Sequence, residues 1–385
     1  MRCEPRSSRA METGIARRLA AAVAIVFTLF VAGASHAQTQ APPAFVPPPP
    51  PPPTPTPTPS PVPTSTSINS DLSAGAAVQN LGSNFLERLG SQATNGFGSV
   101  SRSNPGGGGA SAATEEPKYR TWGEAYGISV KNGAQPNFVG DQRVTFGGVA
   151  GFGARLAPGV NVGISVDQSR TSIDAPLAMQ TATLDLTQFG FNASVDKGPW
   201  TWAIALVHGF GKVGTSRDTG SGFATAGYNA QIDGALTELS YYWSMDQSRI
   251  VPKVALEYTH ASTGAFQEAG GLNPETATGA TMERSRVLVG AEIGHYWIID
   301  RKILDLSAYG KFVDNMSQNF SSIVVSLGPQ SIAVQGIGES QYGADAGASA
   351  SLSLTNTVRL YLNYDGKFRA AMQSHQGTVG VEVKW

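Results

Sequence analysis

The side chains that could perform chemistry are few in this sequence and lie far apart along it. His208, His260 and His295 stand in three different segments, and none has a carboxylate or a second histidine at metal-ligand spacing. Residues 207–211 and 233–235 contain letters that catalytic or phosphate-binding motifs use, but not in the strand-turn-helix context that such motifs require. We therefore expect no enzyme activity, no bound metal and no cofactor.

Charged residues occur at alternate positions of several segments, on the face opposite to the apolar side chains. Both signs occur among them. If these segments are strands that enclose an interior, the mixture of signs favours side chains that hydrate this interior and pair with one another or with a helix inside it. An ion-selective pore is the alternative, although such a pore normally shows a ring of one sign. The residues assigned to this interior are Lys253, Glu257, Arg286, Glu292, Arg359 and Glu382.

The composition limits the kinds of protein that this chain can be. Only 14% of the 385 residues are Asp, Glu, Lys or Arg, and 45 residues are glycine. This mixture suits strands that face lipid better than it suits a charged soluble surface. The net charge of -1 gives no indication of a nucleic-acid partner. The single cysteine, Cys3, lies in the N-terminal segment that we expect to be removed, so no disulfide is predicted.

The N-terminus has the features of a secretory signal peptide, which we place at residues 1–37. Arg17 and Arg18 precede a short apolar run, and Ala37 ends a small-x-small cleavage site. The apolar run is too short to cross a bilayer as a helix, which needs about 20 residues. We expect cleavage after Ala37, with translation starting at Met1 or at Met11.

Three regions follow the signal peptide. Residues 38–67 are rich in proline and predict an extended polyproline II spacer. Residues 68–95 have helical apolar spacing and predict an amphipathic helix, and residues 96–117 form a glycine-rich linker. The apolar face predicted for the helix is formed by Leu72, Leu81, Phe85 and Leu89.

From residue 118 to residue 385 the chain alternates between apolar and polar side chains in twelve segments separated by turn residues. These segments are 119–130, 143–154, 159–170, 182–196, 199–213, 227–244, 249–261, 284–298, 303–316, 339–354, 357–369 and 374–385. Such alternation also occurs in soluble antiparallel sheets, so it does not decide the fold alone. We predict an all-β fold, a twelve-stranded antiparallel transmembrane β-barrel, with the N-terminal helix as a candidate for the inside of its pore.

Two further features favour the barrel over a soluble sheet. The connections largely alternate between tight turns and long loops, which is typical of a barrel with periplasmic turns and outer loops. The predicted long loops are 131–142, 171–181, 214–226, 262–283 and 317–338. With this numbering all six tryptophans fall at the periplasmic ends of strands, where an aromatic girdle lies at the membrane interface. The predicted girdle is formed by Trp122, Trp200, Trp202, Trp243, Trp297 and Trp385.

Both ends of region 118–385 resemble those of the autotransporter β-domain. The resemblance rests on residues 122–127, Trp-Gly-Glu-Ala-Tyr-Gly, and on residues 364–366, Tyr-Asp-Gly, followed by His375, Gly380 and Trp385. It implies a translocator barrel with a helix threaded through its pore. It also implies assembly by the outer-membrane insertion machinery, which would read the terminal strand at Val379, Val381, Val383 and Trp385.

The sequence departs from the family pattern in what precedes the barrel. A passenger of hundreds of residues should come before the helix, but only the proline-rich spacer does, and residues 96–117 separate the helix from the first strand. Our hypothesis is a translocator with little or no passenger that displays a short N-terminal arm. The alternatives are a small passive channel and a surface-binding protein that acts through long loops at 262–283 and 317–338.

The same hypothesis sets the expected location and partners. We expect the chain to be exported through a cleaved signal peptide and to reside in the bacterial outer membrane as a monomer. Its partners would be outer-membrane lipid, lipopolysaccharide and the barrel insertion machinery, and not nucleic acid.

Overall fold

The computed structural model describes residues 62–95, 117–300 and 302–385. Within these ranges the chain forms one α-helix, α1, at Asn69–Asn95, which follows a turn of 3-10 helix at Ser65–Ile68. No helix in these ranges is both long enough and apolar enough to cross a membrane. The expected signal peptide, and most of the expected spacer and linker, lie outside the described residues.

Twelve long strands follow α1, as the alternating segments predict. They are β1 Tyr119–Asn132, β2 Asp141–Ala157, β3 Val160–Ala175, β4 Gln180–Lys197, β5 Trp200–Asp218, β6 Phe223–Tyr241, β7 Ser248–Thr263, β8 Ala280–Ile299, β9 Lys302–Phe320, β10 Tyr342–Ser353, β11 Val358–Arg369 and β12 Met372–Lys384.

Each strand pairs antiparallel with the next strand along the chain, and β12 pairs with β1. The closing register runs from Arg120 opposite Lys384 to Asn132 opposite Met372. Closure leaves no barrel strand with an unpaired backbone edge, which is the condition for crossing lipid with strands. The predicted all-β fold, a closed twelve-stranded antiparallel barrel with an N-terminal helix, is confirmed.

The two faces of the wall differ as the alternation predicts. In β3, Ile164 and Val166 are exposed on the outside, whereas Ser165 and Asp167 are buried on the inside. The terminal strand repeats the pattern, with Val379 and Val381 exposed and Glu382 buried. The outer surface is therefore apolar, as in strands that face lipid, and polar side chains line the lumen.

Two connections that the sequence predicts to be long, 171–181 and 214–226, are short, so this prediction was wrong. β3 extends to Ala175 before β4 begins at Gln180, and β5 extends to Asp218 before β6 begins at Phe223. The hairpin ladder pairs the backbone as well beyond the bilayer as within it, so the strands continue through polar sequence.

The longest connections are residues 264–279 and 321–341. Together they form a small sheet from the strands Phe266–Gln267, Thr276–Ala277, Ser322–Leu327 and Gln330–Gln335. Ile323, Val325 and Val334 of this sheet pack with Ile68 and Leu72 of the helical segment. We call this end of the barrel the loop end, and the opposite end, which holds Tyr119 and Trp385, the terminal end.

α1 lies inside the barrel and runs from the loop end to the terminal end. At the loop end Ser67 donates a hydrogen bond to Glu275, 2.6 Å away. At the terminal end Arg120 donates a hydrogen bond of 2.6 Å to the backbone carbonyl of Gln92. Val62, the first residue of the described range, therefore lies on the loop-end side of α1.

Candidate functional site: the occupied lumen

The predicted apolar face of α1 is buried along its whole length. Leu81, Phe85 and Leu89 belong to the main core, which includes Leu184, Leu186, Ile232 and Leu236 of β4 and β6. Leu72 lies instead in the apolar cluster under the small sheet at the loop end. The helix is therefore packed against one sector of the wall, β3 to β7, and is not centred in the lumen.

Glycines allow α1 to approach this sector closely. A Cβ atom on Gly190 would lie 2.5 Å from Leu89 Cδ1, and one on Gly234 would lie 2.6 Å from Leu86 Cδ1. Both distances are shorter than carbon atoms permit, so the leucines occupy space that only glycine leaves free. The helix therefore approaches the wall closely at these two positions because the wall carries glycine there.

On its other side α1 presents Glu87 to a group of cations. The Glu87 carboxylate lies 2.7 Å from Arg286, 2.9 Å from Lys311 and 2.5 Å from Lys367. These residues stand on β8, β9 and β11, so one helix carboxylate connects three strands. One turn earlier, Ser83 donates a hydrogen bond of 2.5 Å to Glu257.

The next helix residue, Arg88, faces acidic side chains of other strands. Its guanidinium lies 2.9 Å from Glu124 and 3.5 Å from Asp167. The Arg88 Cζ atom also stands 4.3 Å from the ring centroid of Tyr126, and the Tyr126 hydroxyl donates a hydrogen bond of 2.9 Å to Asp167. Arg88 therefore combines ion pairs with a cation–π contact.

All six charged residues that the sequence assigns to the interior take part in ion pairs there. Glu257 pairs with Arg286 at 2.8 Å, and Lys253 pairs with Glu292 at 3.4 Å. Arg359 pairs with Glu382 at 3.3 Å. The signs therefore meet across neighbouring strands and do not form a ring of one charge.

Glu87 and Arg88, which connect α1 to several strands, are not among the site residues predicted from the sequence. The apolar spacing that identifies one face of the helix gives no information about the opposite side. The available signal was composition: Asp71, Glu87 and Arg88 are the charged residues of Asn69–Asn95. Adjacent opposite charges on a helix predicted to lie in a mixed-charge lumen point to ion pairs with the wall.

The lumen beside α1 is not completely filled. One space of about 240 Å³ lies against Glu87 and Arg88 and is lined by Lys311, Lys367 and Glu238 among other residues. Another space, of about 30 Å³, lies nearer the loop end beside Asn80. The helix therefore fills only part of the lumen, and the remaining space borders its charged side.

The pKa values of two carboxylates in the loop-end connections are shifted in opposite directions by their surroundings. Burial opposes the ionisation of Glu339, but Arg284 at 2.6 Å and Arg369 at 3.0 Å outweigh it and lower the Glu339 pKa to about 2. For Glu275, burial dominates and raises the pKa, although Ser67 and Arg217 act in the other direction.

Five tryptophans lie on the outside of the barrel, but Trp122 does not. Trp200, Trp202, Trp243 and Trp297 are 40–57% exposed, and Trp385 is 55% exposed. Trp122 is 4% exposed and belongs to the lumenal core, so its assignment to the aromatic girdle was wrong. The physical reason is parity, because Trp122 shares alternate positions of β1 with the inward-facing Arg120 and Glu124.

The three strand histidines have separate partners. His208 lies 2.7 Å from Asp233 and His260 lies 3.3 Å from Glu283, both pairs on the outer face. His295 is hydrogen-bonded to Ser248 at 2.8 Å. Across the ranges 62–95, 117–300 and 302–385, no group of three or more His, Cys, Asp or Glu residues could hold a metal ion.

Comparisons with known proteins place this barrel in a family. Residues 121–365 match the model of the autotransporter β-domain, which is 245 of the 385 residues. The chain belongs to the autotransporter β-domain family. The match covers β1 through most of β11, so it includes the opening strand and the Tyr-Asp-Gly segment at 364–366.

Solved autotransporter structures share this fold at low sequence identity. The translocator domain of the autotransporter NalP from Neisseria meningitidis is 14% identical, with a TM-score of 0.63, over 83% of this chain and 99% of that structure. The β-domain of the Bordetella autotransporter BrkA is 13% identical, with a TM-score of 0.52, over 70% and 100%. None of the curated proteins matched the sequence.

Membership of the autotransporter β-domain family gives the barrel its membrane and its class of function. The protein is a translocator β-barrel domain of the bacterial outer membrane. In such a barrel the short turns, the start of the first strand and the end of the last strand face the periplasm, so the loop end is the outer end.

Proposed function

We propose that this autotransporter β-domain anchors itself in the outer membrane and displays its own N-terminal arm, residues 38–61, with little or no further passenger. The direction of α1 carries the proposal. The helix begins beside Glu275 at the loop end and ends beside Arg120 at the terminal end. A chain held in this direction leads the residues before Val62 to the outer side.

The occupied lumen supports this role over that of a passive channel. α1 is packed on β3 to β7, and Glu87 and Arg88 are paired with the wall on the remaining side. Both contacts would have to be given up before a wide pore could open. The outer connections pack on Ile68 and Leu72, which supports a role in sealing the outer end more than a role in binding a host ligand.

The partners in this proposal are outer-membrane lipid, lipopolysaccharide and the barrel insertion machinery. The outward side chains of the terminal strand, Val379, Val381 and Trp385, support contact with lipid and recognition of that strand during assembly. We propose a monomer that is exported through a signal peptide cleaved after Ala37 and that has an anchoring role without catalysis.

Epitope insertion tests the display of the arm. A tag inserted after Gln40 should be labelled by antibody on intact cells. A matched tag in the turn after Gly198, at the terminal end, should be labelled only after the outer membrane is permeabilised. Labelling of both tags only after permeabilisation would contradict the proposal, provided that the tagged barrels are folded in the outer membrane.

A further inference from the structure

The site around Glu87 is built by residues of the wall, and its geometry is that of an anion site. Arg286, Lys311 and Lys367 come from three strands and direct their nitrogen atoms at one carboxylate, at 2.5–2.9 Å. Arg286 is fully buried, with 1% of its surface exposed. We call these three residues the basic site.

The basic site depends on the helix for its compensating charge. Arg286 has a second carboxylate partner, Glu257, on the neighbouring strand. For Lys311 and Lys367, Glu87 is the only carboxylate at ion-pair distance within the described chain. Without Glu87, two ammonium groups would remain in the lumen without an ion-pair partner, a state that attracts an anion.

A second site of opposite sign stands on a different sector of the wall. Glu124 and Asp167 hold the Arg88 guanidinium, and the Tyr126 ring lies beneath it. We call these three residues the acidic site. The two sites lie on β8 to β11 and on β1 to β3, and the adjacent helix residues 87 and 88 point about 100° apart, so each residue reaches one site.

We propose that the basic site is a carboxylate-binding site and the acidic site a guanidinium-binding site, and that together they fix α1 by recognising the pair Glu87-Arg88. A shift of α1 by one residue changes its height by about 1.5 Å and its rotation by about 100°, which removes both charges from their sites. The pair therefore sets the axial and rotational position of the helix. This proposal stands whether or not the arm is displayed.

Selective rescue by small solutes tests the two sites in the full-length protein. Glu87→Ala should increase the amide hydrogen-exchange rate of α1 roughly tenfold, the effect of losing a charge-assisted contact. Acetate should restore slow exchange, because the truncation vacates the place of the Glu87 carboxylate among the three cations, and this place opens onto the 240 Å³ space. Methylguanidinium should have no such effect on this variant.

Arg88→Ala should show the opposite selectivity, with rescue by methylguanidinium and not by acetate. All solutes are compared at constant ionic strength, so that general screening is unchanged. Asn84→Ala, which removes a polar side chain bordering the same space, is the control and should respond to neither solute. Acetate and methylguanidinium acting equally on both charge variants would overturn the proposal.

Glu87→Gln keeps the test valid if the alanine variant does not fold. The amide keeps the volume of the side chain but removes its charge, so exchange of α1 should rise while acetate finds no room. Unchanged exchange in folded Glu87→Gln protein would refute the assigned role, and so would rescue of this variant by acetate.

Discussion

At the scale of single residues, two features of a strand can predict different environments for the same side chain. One is the position along the strand, and the other is parity, the alternation of side chains between the inner and the outer face. Trp122 stands at the terminal end, where an interfacial tryptophan is expected, but it occupies an inward position of β1. Arg120, Glu124 and Tyr126 occupy the same series of positions and are also buried. Parity decides the environment here, because neighbouring strands fix the orientation of every side chain.

Fluorescence quenching can separate Trp122 from the outer tryptophans. In vesicles of brominated lipid, a variant that retains only Trp202 should lose most of its emission, because its ring is 55% exposed on the lipid side. A variant that retains only Trp122 should be nearly unaffected. Equal quenching of the two variants would place Trp122 in contact with lipid.

Glu339 gives a pH prediction with a definite sign. Its pKa is lowered from 4.5 to about 2, so the contact with Arg284 and Arg369 stabilises the loop above pH 4.5 and is lost as the pH falls towards 2. Hydrogen exchange of residues 336–341 should therefore increase over this acidic range. Glu339→Gln should show no such increase with acidity.

Glu275 supplies the contrasting case within the other loop-end connection. Its pKa is raised, so its contribution to the stability of this connection is greatest at acidic pH. That contribution is lost as the pH rises through the raised value. Exchange of residues 264–279 should increase with pH beyond the intrinsic rate, and Glu275→Gln should remove that excess. The same pH dependence in both connections would disagree with these assignments.

At the scale of elements, α1 and the wall pack closely where one of them carries glycine and the other a large side chain. Gly190 and Gly234 leave the space that Leu89 and Leu86 fill, and Met282 lies 2.7 Å from the place of a Cβ atom on Gly75. The helical period in the sequence could predict which residues of α1 are apolar. It could not predict which strands receive them, because that depends on how far the helix lies from the axis of the barrel.

Gly190→Val should displace α1 from β4 and β5. Overpacking of this kind destabilises the packed position of α1 by about 1–3 kcal/mol. Displacement of α1 from the wall should therefore become measurably more frequent. Single-channel recordings should show more frequent and larger conductance events than the unchanged protein. Gly310→Ala, whose added Cβ atom would have no neighbour within 4 Å, is the matched control and should behave like the unchanged protein.

At the scale of the whole molecule, most of the architecture could be predicted from the sequence. A closed barrel with both ends on one side has an even number of alternating segments, as this sequence does, and the pairing of β12 with β1 provides the closure. The interior could be predicted only in part. The ion pairs of Glu87 and Arg88 depend on the rotation of α1 against the wall, which no local pattern of residues encodes.

The seam between β1 and β12 should be as sensitive to lipid-facing charge as the rest of the wall. Val379 is 57% exposed in the middle part of β12, so Val379→Arg should lower the free energy of unfolding by about 2–4 kcal/mol in lipid vesicles. Urea titration followed by heat-modifiable gel mobility measures the change. Ser129→Arg, on the same face near the loop end, should cost about 0–1 kcal/mol.

The direction in which α1 runs through the barrel has a further consequence if the backbone between α1 and β1 is cut. Both Asn95 and Tyr119 lie towards the terminal end, so residues 96–117 join the end of α1 to the beginning of β1 on the same side of the membrane. A single engineered protease cut in this stretch would leave two polypeptides held together only by noncovalent contacts, which include leucine packing, ion pairs and hydrogen bonds. We expect the nicked protein to migrate as one species until heat or denaturant releases the shorter piece.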